Sequence, residues 1–275
     1  MRTIAHISDV HFGRIDERIT EALLAELHAD PPSVMVVSGD LTQRSRIHQW
    51  EPAAAFMKRL PGPIIVVPGN HDVPLWNVFR RVFLPLQRFK HYITGDIYPE
   101  YRDDELMVLG VNTARSFTQM SGWLSQKQIK AIAERFSQAP PGATRVLVTH
   151  HPFIPTPKRP DGDVIRRGTQ TLLALEPSNI DILLGGHLHL AYHDDVRSYH
   201  PGTKRSVISI QAGTATSTRL RGAPNAYNRV TIDRDHVHVS IREWTGSTFA
   251  QSLATDFRKV DGAWLREPAA NLQSI

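Results

Sequence analysis

The chain has 275 residues, 41% of them apolar and 21% charged, which is enough for one large domain with a substantial core. It contains no cysteine, so structural disulfides and thiolate metal sites are excluded. A formal net charge of +5 suits anionic partners such as phosphate esters, nucleic acid or an anionic membrane.

The first strand is expected at Thr3–Ile7. It starts so near the N-terminus that no charged n-region and apolar h-region precede it, so no signal peptide is expected and the protein is placed in the cytoplasm. Further strands are expected at Val34–Ser38, Ile64–Val67, Leu106–Val111, Arg145–Thr149 and Asp181–Leu184. Amphipathic segments lie between them at Ile15–Ala29, Ile47–Leu60 and Ser125–Ser137, the last with Ser125 as N-cap. This alternation predicts an α/β fold with mostly parallel central strands. Apolar runs such as VMVV and PIIVV fall far short of the roughly 18 residues of a membrane span.

From Tyr192 the pattern changes to SVISIQAG, AYNRVTID and HVHVSIREW, which read as consecutive antiparallel strands. The segment Thr245–Ile275 lacks clear periodicity and is expected to pack as an arm or to fray. The domain is therefore assigned to residues 1–245, with a C-terminal extension over 246–275.

Three stretches border this frame. Pro152–Gly168 is long, Pro-rich and basic, the profile of a lid or substrate loop. AGTATSTRLRGAPNAYN carries Arg219 and Arg221. Arg159, Arg166, Arg167 and Arg219 are the candidate contacts to a substrate phosphate, weighed against merely solvated arginines. Pro74–Ile93 has no acidic residue and interleaves Arg80, Arg81, Arg88 and Lys90 with Trp76, Phe79, Phe83, Leu86 and Phe89. It reads either as a basic face for anionic lipid headgroups or as a helix packing its aromatic stripe on the core. The core spacing of the stripe and the interruption at Pro85 favour packing.

The polar residues fall where the strands end. Strand one runs into SDVH, the second into SGDLT, the third into PGNHD, Arg145–Thr149 into HHP, and Asp181–Leu184 into GGHLH. The carboxyl ends of parallel strands open onto one crevice, so Asp9, His11, Asp40, Asn70, His150, His187 and His189 are expected to converge. Seven N/O donors exceed one tetrahedral ion and suit two ions sharing a carboxylate. With no sulfur, borderline divalent metals fit (manganese, iron or zinc), whereas calcium prefers an all-oxygen shell. Any one motif alone is ordinary turn chemistry; five in order, each at a strand exit, are not.

Asp-x-His, Gly-Asp, Gly-Asn-His-Asp, His and Gly-His-x-His together form the signature of the calcineurin-like metallophosphoesterases, which the chain resembles from Asp9 through His189. The late QAGTATSTRLRG is similar to the single-domain bacterial phosphodiesterase branch. The resemblance implies a four-layer αββα sandwich with a dimetal site at its edge. It implies that Asp9, His11, Asp40 and His189 hold one metal and that Asp40, Asn70, His150 and His187 hold the other. It also implies that His71 faces the substrate, stabilising phosphoryl charge or protonating the leaving oxygen.

Departures narrow the branch. GDLTQRS and GNHD stand where family protein phosphatases carry Gly-Asp-x-Val-Asp-Arg-Gly and Gly-Asn-His-Glu. Lipid A pathway diacylglucosamine pyrophosphatases typically carry Arg where His71 stands. Repair nucleases add a DNA-contacting domain for which this length leaves no space, so no stable nucleic-acid complex is expected. The resemblance is nearest to the class III cyclic-nucleotide and glycerophosphodiester phosphodiesterases. Other histidines are set aside: His236 and His238 as surface residues, His151 as structural or supporting, and His6 as a satisfied core residue.

The expected function is a dinuclear hydrolase cleaving a small-molecule phosphodiester by attack of a metal-bridging hydroxide. The alternative is a lipid-linked phosphoester or pyrophosphate hydrolase, peripheral to the inner membrane through Pro74–Ile93. A non-enzymatic alternative is an anionic-ligand-binding module with an inactive site. Oligomeric state is open, a homodimer included.

Overall fold

A computed structural model of the chain describes residues 1–117 and 120–268. The strands are β1 Arg2–Ile7, β2 Val34–Val37, β3 Ile64–Val66, β4 Glu100–Arg102, β5 Leu106–Gly110, β6 Thr144–Val148, β7 Ile182–Gly185, β8 Tyr192–Asp195, β9 Ile208–Gln211, β10 Ala226–Asp233, β11 His236–Trp244, β12 Phe249–Val260 and β13 Ala263–Arg266. The helices are α1 Glu17–Ala29, α2 Ile47–Met57, α3 Val78–Phe83, α4 Gln87–Tyr92, α5 Gln126–Phe136 and α6 Gly168–Leu175. One sheet has the order β13-β12-β11-β10-β1-β2-β3, the other β4-β5-β6-β7-β9-β8. In the first, β1, β2 and β3 are parallel; in the second, β5, β6, β7 and β9 are.

The layers follow from alternation along each central strand. Ile4, Val34, Val36 and Ile65 point inward to meet Val108, Val146, Val148, Ile182 and Ile210 of the opposite sheet. Their neighbours Ala5, Ile7, Met35 and Val37 point outward beneath Leu23, Leu27, Trp50 and Phe89 of α1, α2 and α4. On the far side, Met107, Leu109 and Leu147 pack under Ile132, Phe136 and Leu172 of α5 and α6. The result is the αββα sandwich. Ser125 caps α5, its side chain accepting from the Gln128 N–H.

Two parts of the late chain differ from expectation. SVISIQAG supplies β9, which lies in the second sheet parallel to β7 and antiparallel to β8; only AYNRVTID and HVHVSIREW form a consecutive antiparallel pair. The segment after Thr245 is neither an arm nor frayed where it is described. It forms β12 and β13, which extend the first sheet outward from β11. The part of the proposed 246–275 extension from residue 269 onward lies outside the described residues.

The Pro74–Ile93 segment also departs from the favoured reading. Phe89 is buried under α2, but Trp76, Phe79 and Phe83 are 70%, 65% and 67% exposed. Arg81 is buried instead, its Nε donating to the Ser116 carbonyl at 2.6 Å. The Pro152–Gly168 loop is anchored at its start by buried Phe153 and Ile154, whose carbonyls accept from His200 and Gln211. Among the described residues, no helix is long and apolar enough to cross a membrane.

The core includes a pH-sensitive group away from the strand exits. His193 on β8 is buried, its ring 5.9 Å from Phe257 and both ring nitrogens without a hydrogen-bond partner. Burial, reinforced by Arg266, lowers its pKa from 6.5 to about 4. The folded state therefore resists a proton that the unfolded chain accepts. The contribution of neutral His193 is complete above pH 6.5 and is lost as the pH falls through about 4. Urea titrations across this window should show a loss of up to about 3 kcal/mol that is missing in His193→Leu. An identical pH dependence in that variant would refute the assignment.

Candidate metal centre

The strand exits meet through backbone hydrogen bonds. Asp9 N–H donates to Gly39 O at 3.1 Å and His11 N–H to Asp40 O at 2.9 Å, so the chains leaving β1 and β2 run side by side. His150 Nδ1 donates to Ser38 O at 2.7 Å, and His187 N–H to Asp9 Oδ2 at 2.9 Å, which ties the second sheet's exits to the first's. Asp9, His11, Asp40, His187 and His189 all adopt left-handed backbone, with φ of 53°, 55°, 54°, 71° and 61°. Non-glycine residues held there cost on the order of 1–3 kcal/mol each, and such strain concentrates at functional sites. Two glycines are required by proximity. A Cβ on Gly69 would sit 2.1 Å from Asp40 Oδ1, and one on Gly186 would sit 1.9 Å from Ser8 Oγ and 2.6 Å from Asp9 Oδ2.

All seven expected residues come together, in two groups. In the first, Asp9, His11, Asp40 and His189 are buried, and each brings one ligand atom within 4.8 Å of the others. His189 Nε2 lies 3.1 Å from Asp9 Oδ1, and His11 Nε2 lies 3.2 Å from His189 Nε2. In the second, Asn70 Oδ1 is 3.0 Å from both His150 Nε2 and His187 Nδ1. Asp40 faces both groups: its Oδ2 is 3.7 Å from His11 Nε2 and its Oδ1 3.4 Å from His150 Nε2. His151 lies nearer than expected, sharing the 4.8 Å cluster with His150 and His187 while its Nδ1 contacts Thr113 Oγ1 at 2.9 Å.

Electrostatics favour anionic carboxylates beside neutral His11 and His187. Burial alone would raise Asp9, but His189, His150 and His11 hold it well below the usual carboxylate range. Burial likewise opposes the ionised Asp40, and His150, His71 and His11 outweigh it. Burial lowers His11 and His187 to about 3, keeping their lone pairs free for a ligand role. His150 is raised, because Asp40 and Asp9 overcome its desolvation.

This donor set fits cations. Asp9 Oδ1 is buried without a well-aligned hydrogen bond, and the Nε2 atoms of His11 and His189 face one another in the same recess. An arrangement of two ionised carboxylates, an amide oxygen and ring nitrogens, with no sulfur, suits divalent metals. These His/Asp clusters could bind two metals.

The surroundings sort the remaining candidates. His71 Nδ1 donates to Gln43 O at 2.6 Å, which turns Nε2 toward Arg219, whose Nη1 is 3.2 Å away. Arg159 Nη1 is buried without a partner. Arg166 and Arg167 are exposed just before α6. Arg221, which the sequence places beside Arg219 without a role, is partly buried; desolvation and then Arg159 and Arg219 lower its pKa, while Asp9 and Asp40 raise it. Only its position two residues after Arg219 on one loop signalled it. His6 is buried as expected, its Nε2 2.9 Å from Ser38 Oγ. His236 and His238 flank Asp256 at the surface. Asp72 accepts from the Leu41, Thr42 and Gly69 N–H groups and from Thr42 Oγ1, at 2.9–3.1 Å.

A sandwich of this topology is the metallophosphoesterase fold, and its strand exits carry an Asp/His/Asn recess whose residues could hold metal ions. The calcineurin-like phosphoesterase profile matches residues 2–191, and the chain belongs to that family. It is 26% identical over 200 residues to the glycerophosphodiester phosphodiesterase GpdQ of Enterobacter lignolyticus, covering 68% of this chain and 70% of that protein. It is 28% identical over 171 residues to the 3',5'-cyclic adenosine monophosphate phosphodiesterase CpdA of Haemophilus influenzae, covering 60% of this chain and 58% of that one. Among solved structures, a dimetal phosphatase from Danio rerio shares the fold, with a TM-score of 0.64 at 12% identity and coverage of 91% and 98%. A purple acid phosphatase from yellow lupin shares it too, with a TM-score of 0.64 at 11% identity, over 92% of this chain and 53% of that one.

Proposed function

We propose that this chain hydrolyses a small-molecule phosphodiester of the glycerophosphodiester or cyclic-nucleotide class at a two-metal centre. The observation that carries the reading is buried Asp40, set between the Asp9–His11–His189 group and the Asn70–His150–His187 group. Asp9, His11, Asp40 and His189 would hold one ion, and Asp40, Asn70, His150 and His187 the other, with manganese, iron or zinc suited to these donors. Such ions supply a water-derived nucleophile at neutral pH and neutralise charge on the phosphoryl oxygens. The named activities of the two relatives support the substrate class.

The chain's own groups do the rest. The Gln43 carbonyl holds the His71 ring by its Nδ1–H, so Nε2 is the ring atom turned to the substrate; it accepts from Arg219 Nη1 here and would protonate the departing alkoxide only from the doubly protonated ring. Arg219, 3.2 Å from that Nε2, with Arg221 and Arg159 beside it, supplies positive charge for phosphate oxygens.

Manganese-loaded protein should hydrolyse bis-p-nitrophenyl phosphate and an alkyl glycerophosphodiester. His71→Ala should lose roughly 10²-fold in kcat on the alkyl ester and much less on the nitrophenyl ester, whose leaving group needs no acid. Absence of turnover on both substrates by the loaded wild-type protein sinks the reading.

A further inference from the structure

The short helix α3 is inside out. On a helix packed against a core, apolar residues face in and charges face out. Here Arg81 is 9% exposed and bonds to the Ser116 and Pro74 carbonyls, while Val78, Phe79 and Phe83 are 69%, 65% and 67% exposed. The Phe79 and Phe83 rings meet at 5.0 Å on the outer surface. Trp76, 70% exposed, precedes the helix, and Phe117, 85% exposed, follows the Ser116 that Arg81 holds. Arg81 thus ties three stretches of chain together and leaves their aromatic residues outside. Each of these four exposed side chains forgoes about 1.5–3 kcal/mol of burial, a large cost for an isolated molecule in water.

The charges this segment carries have one sign. No acidic residue occurs from Val73 to Gly95. Arg44 lies over the Trp76 ring at 5.8 Å, and Arg80 lies within α3. Lys90 on α4 is exposed. Among the described residues none of these three cations forms an ion pair with a carboxylate; Arg80 Nη1 donates to the neutral Gln87 Oε1 at 2.7 Å. Aromatic side chains beside unpaired cations match the boundary of an anionic bilayer, where the rings enter the headgroup region and the cations meet lipid phosphates. A second copy fits less well. In a two-fold interface the same patch faces itself, so these cations would confront their own counterparts without a carboxylate between them.

We infer that Trp76, Phe79, Phe83 and Phe117, with Arg44, Arg80 and Lys90, dock this protein on an anionic lipid surface. The face borders the metal recess, since Trp76 stacks under Arg44, the neighbour of the Gln43 whose carbonyl holds His71. Docking there would bring the opening of the recess to the lipid surface. The inference does not depend on the proposed reaction, because binding can be measured without substrate.

The test is co-sedimentation of the full chain with vesicles of phosphatidylcholine and phosphatidylglycerol at 7:3, and with phosphatidylcholine alone, at low and high salt. Wild-type protein should bind the mixed vesicles at low salt, bind phosphatidylcholine at least about tenfold more weakly, and be released by salt. Trp76→Ser/Phe79→Ser/Phe83→Ser should lose at least about tenfold in binding, with an unchanged or higher Tm showing that it still folds. Arg44→Glu/Arg80→Glu should weaken binding to the mixed vesicles only. Failure of the wild type to bind the mixed vesicles overturns the inference, as does undiminished binding by the triple variant. A dimer in sedimentation equilibrium that the serine substitutions dissociate, without vesicle binding, would overturn it in favour of a second copy.

Discussion

Asp40→Asn should reduce phosphodiester hydrolysis by at least about 10³-fold in kcat, with little change in fold. The substitution keeps the shape of the side chain and an oxygen for the His71 N–H, which the Asp40 Oδ1 accepts at 2.8 Å. What it removes is the charge. Asp40 is 1% exposed, and its two oxygens face His11 on one side and His150 on the other. Burial disfavours the ionised form, yet the imidazoles of His150, His71 and His11 hold its pKa below the usual value. A group kept anionic against its burial is placed to balance positive charge on both sides at once. Loss of that charge should also reduce bound metal from two equivalents to one or fewer, read by elemental analysis of protein dialysed against manganese. Wild-type turnover together with two equivalents of metal in the variant would remove Asp40 from the centre of the site.

What could be read from the chain alone follows physical lines. The central strands are continuous β-branched runs because both faces of each sheet are covered, and the motifs stand at their exits because parallel strands end on one edge. The tail is illegible for the opposite reason. Gln251, Ser252 and Leu253 of β12 are all exposed, and the register with β11 shifts at Ile241 and Arg242, so no clean period of two survives there. In α3 the aromatic spacing was visible but its direction was not. Periodicity shows that a helix has two faces, and buried Arg81 decided which of them faces inward. Nothing in the residue types signals that five of the seven converging residues are left-handed, since that strain arises from contacts between the two sheets.

Those contacts also explain why strain at the exits can persist. The β1 exit is held to the β2 exit by Asp9, His11 and Phe12 N–H groups donating to Gly39, Asp40 and Leu41 carbonyls, and the β2 exit depends on a carboxylate from another strand exit. The Asp72 carboxylate accepts from Leu41 N–H at 3.1 Å, Thr42 N–H at 2.9 Å, Thr42 Oγ1 at 3.0 Å and Gly69 N–H at 3.0 Å. It thereby joins the chain after β2, which carries Asp40, to the turn that presents Asn70 and His71. Burial, followed by the nearby Asp40, pushes the Asp72 pKa up to about 7, against the lowering effect of the three backbone donors. The two carboxylates are held close despite their repulsion, and the donors are what hold them.

Asp72→Ala should therefore be the most damaging single change outside the candidate ligands. It leaves three backbone N–H groups unpaired in a buried site, at about 1–3 kcal/mol for each donor that water cannot reach, while Thr42 Oγ1 keeps its contacts to the His71 carbonyl and the Ser45 N–H. A net loss on the order of 4 kcal/mol is expected, which lowers Tm by roughly 10 °C for a chain of this size. Asp72→Asn should fall between, because its amide oxygen satisfies some of the donors while its NH₂ opposes the rest. A purely structural role would affect Tm and leave metal affinity in the folded protein unchanged. A positioning role should also weaken manganese binding by about 10–100-fold in Asp72→Asn, measured by titration well below its Tm, because Asp40 and Asn70 no longer share one anchor. If Asp72→Asn binds manganese as tightly as wild type and loses only stability, the carboxylate supports the fold without setting the geometry of the site.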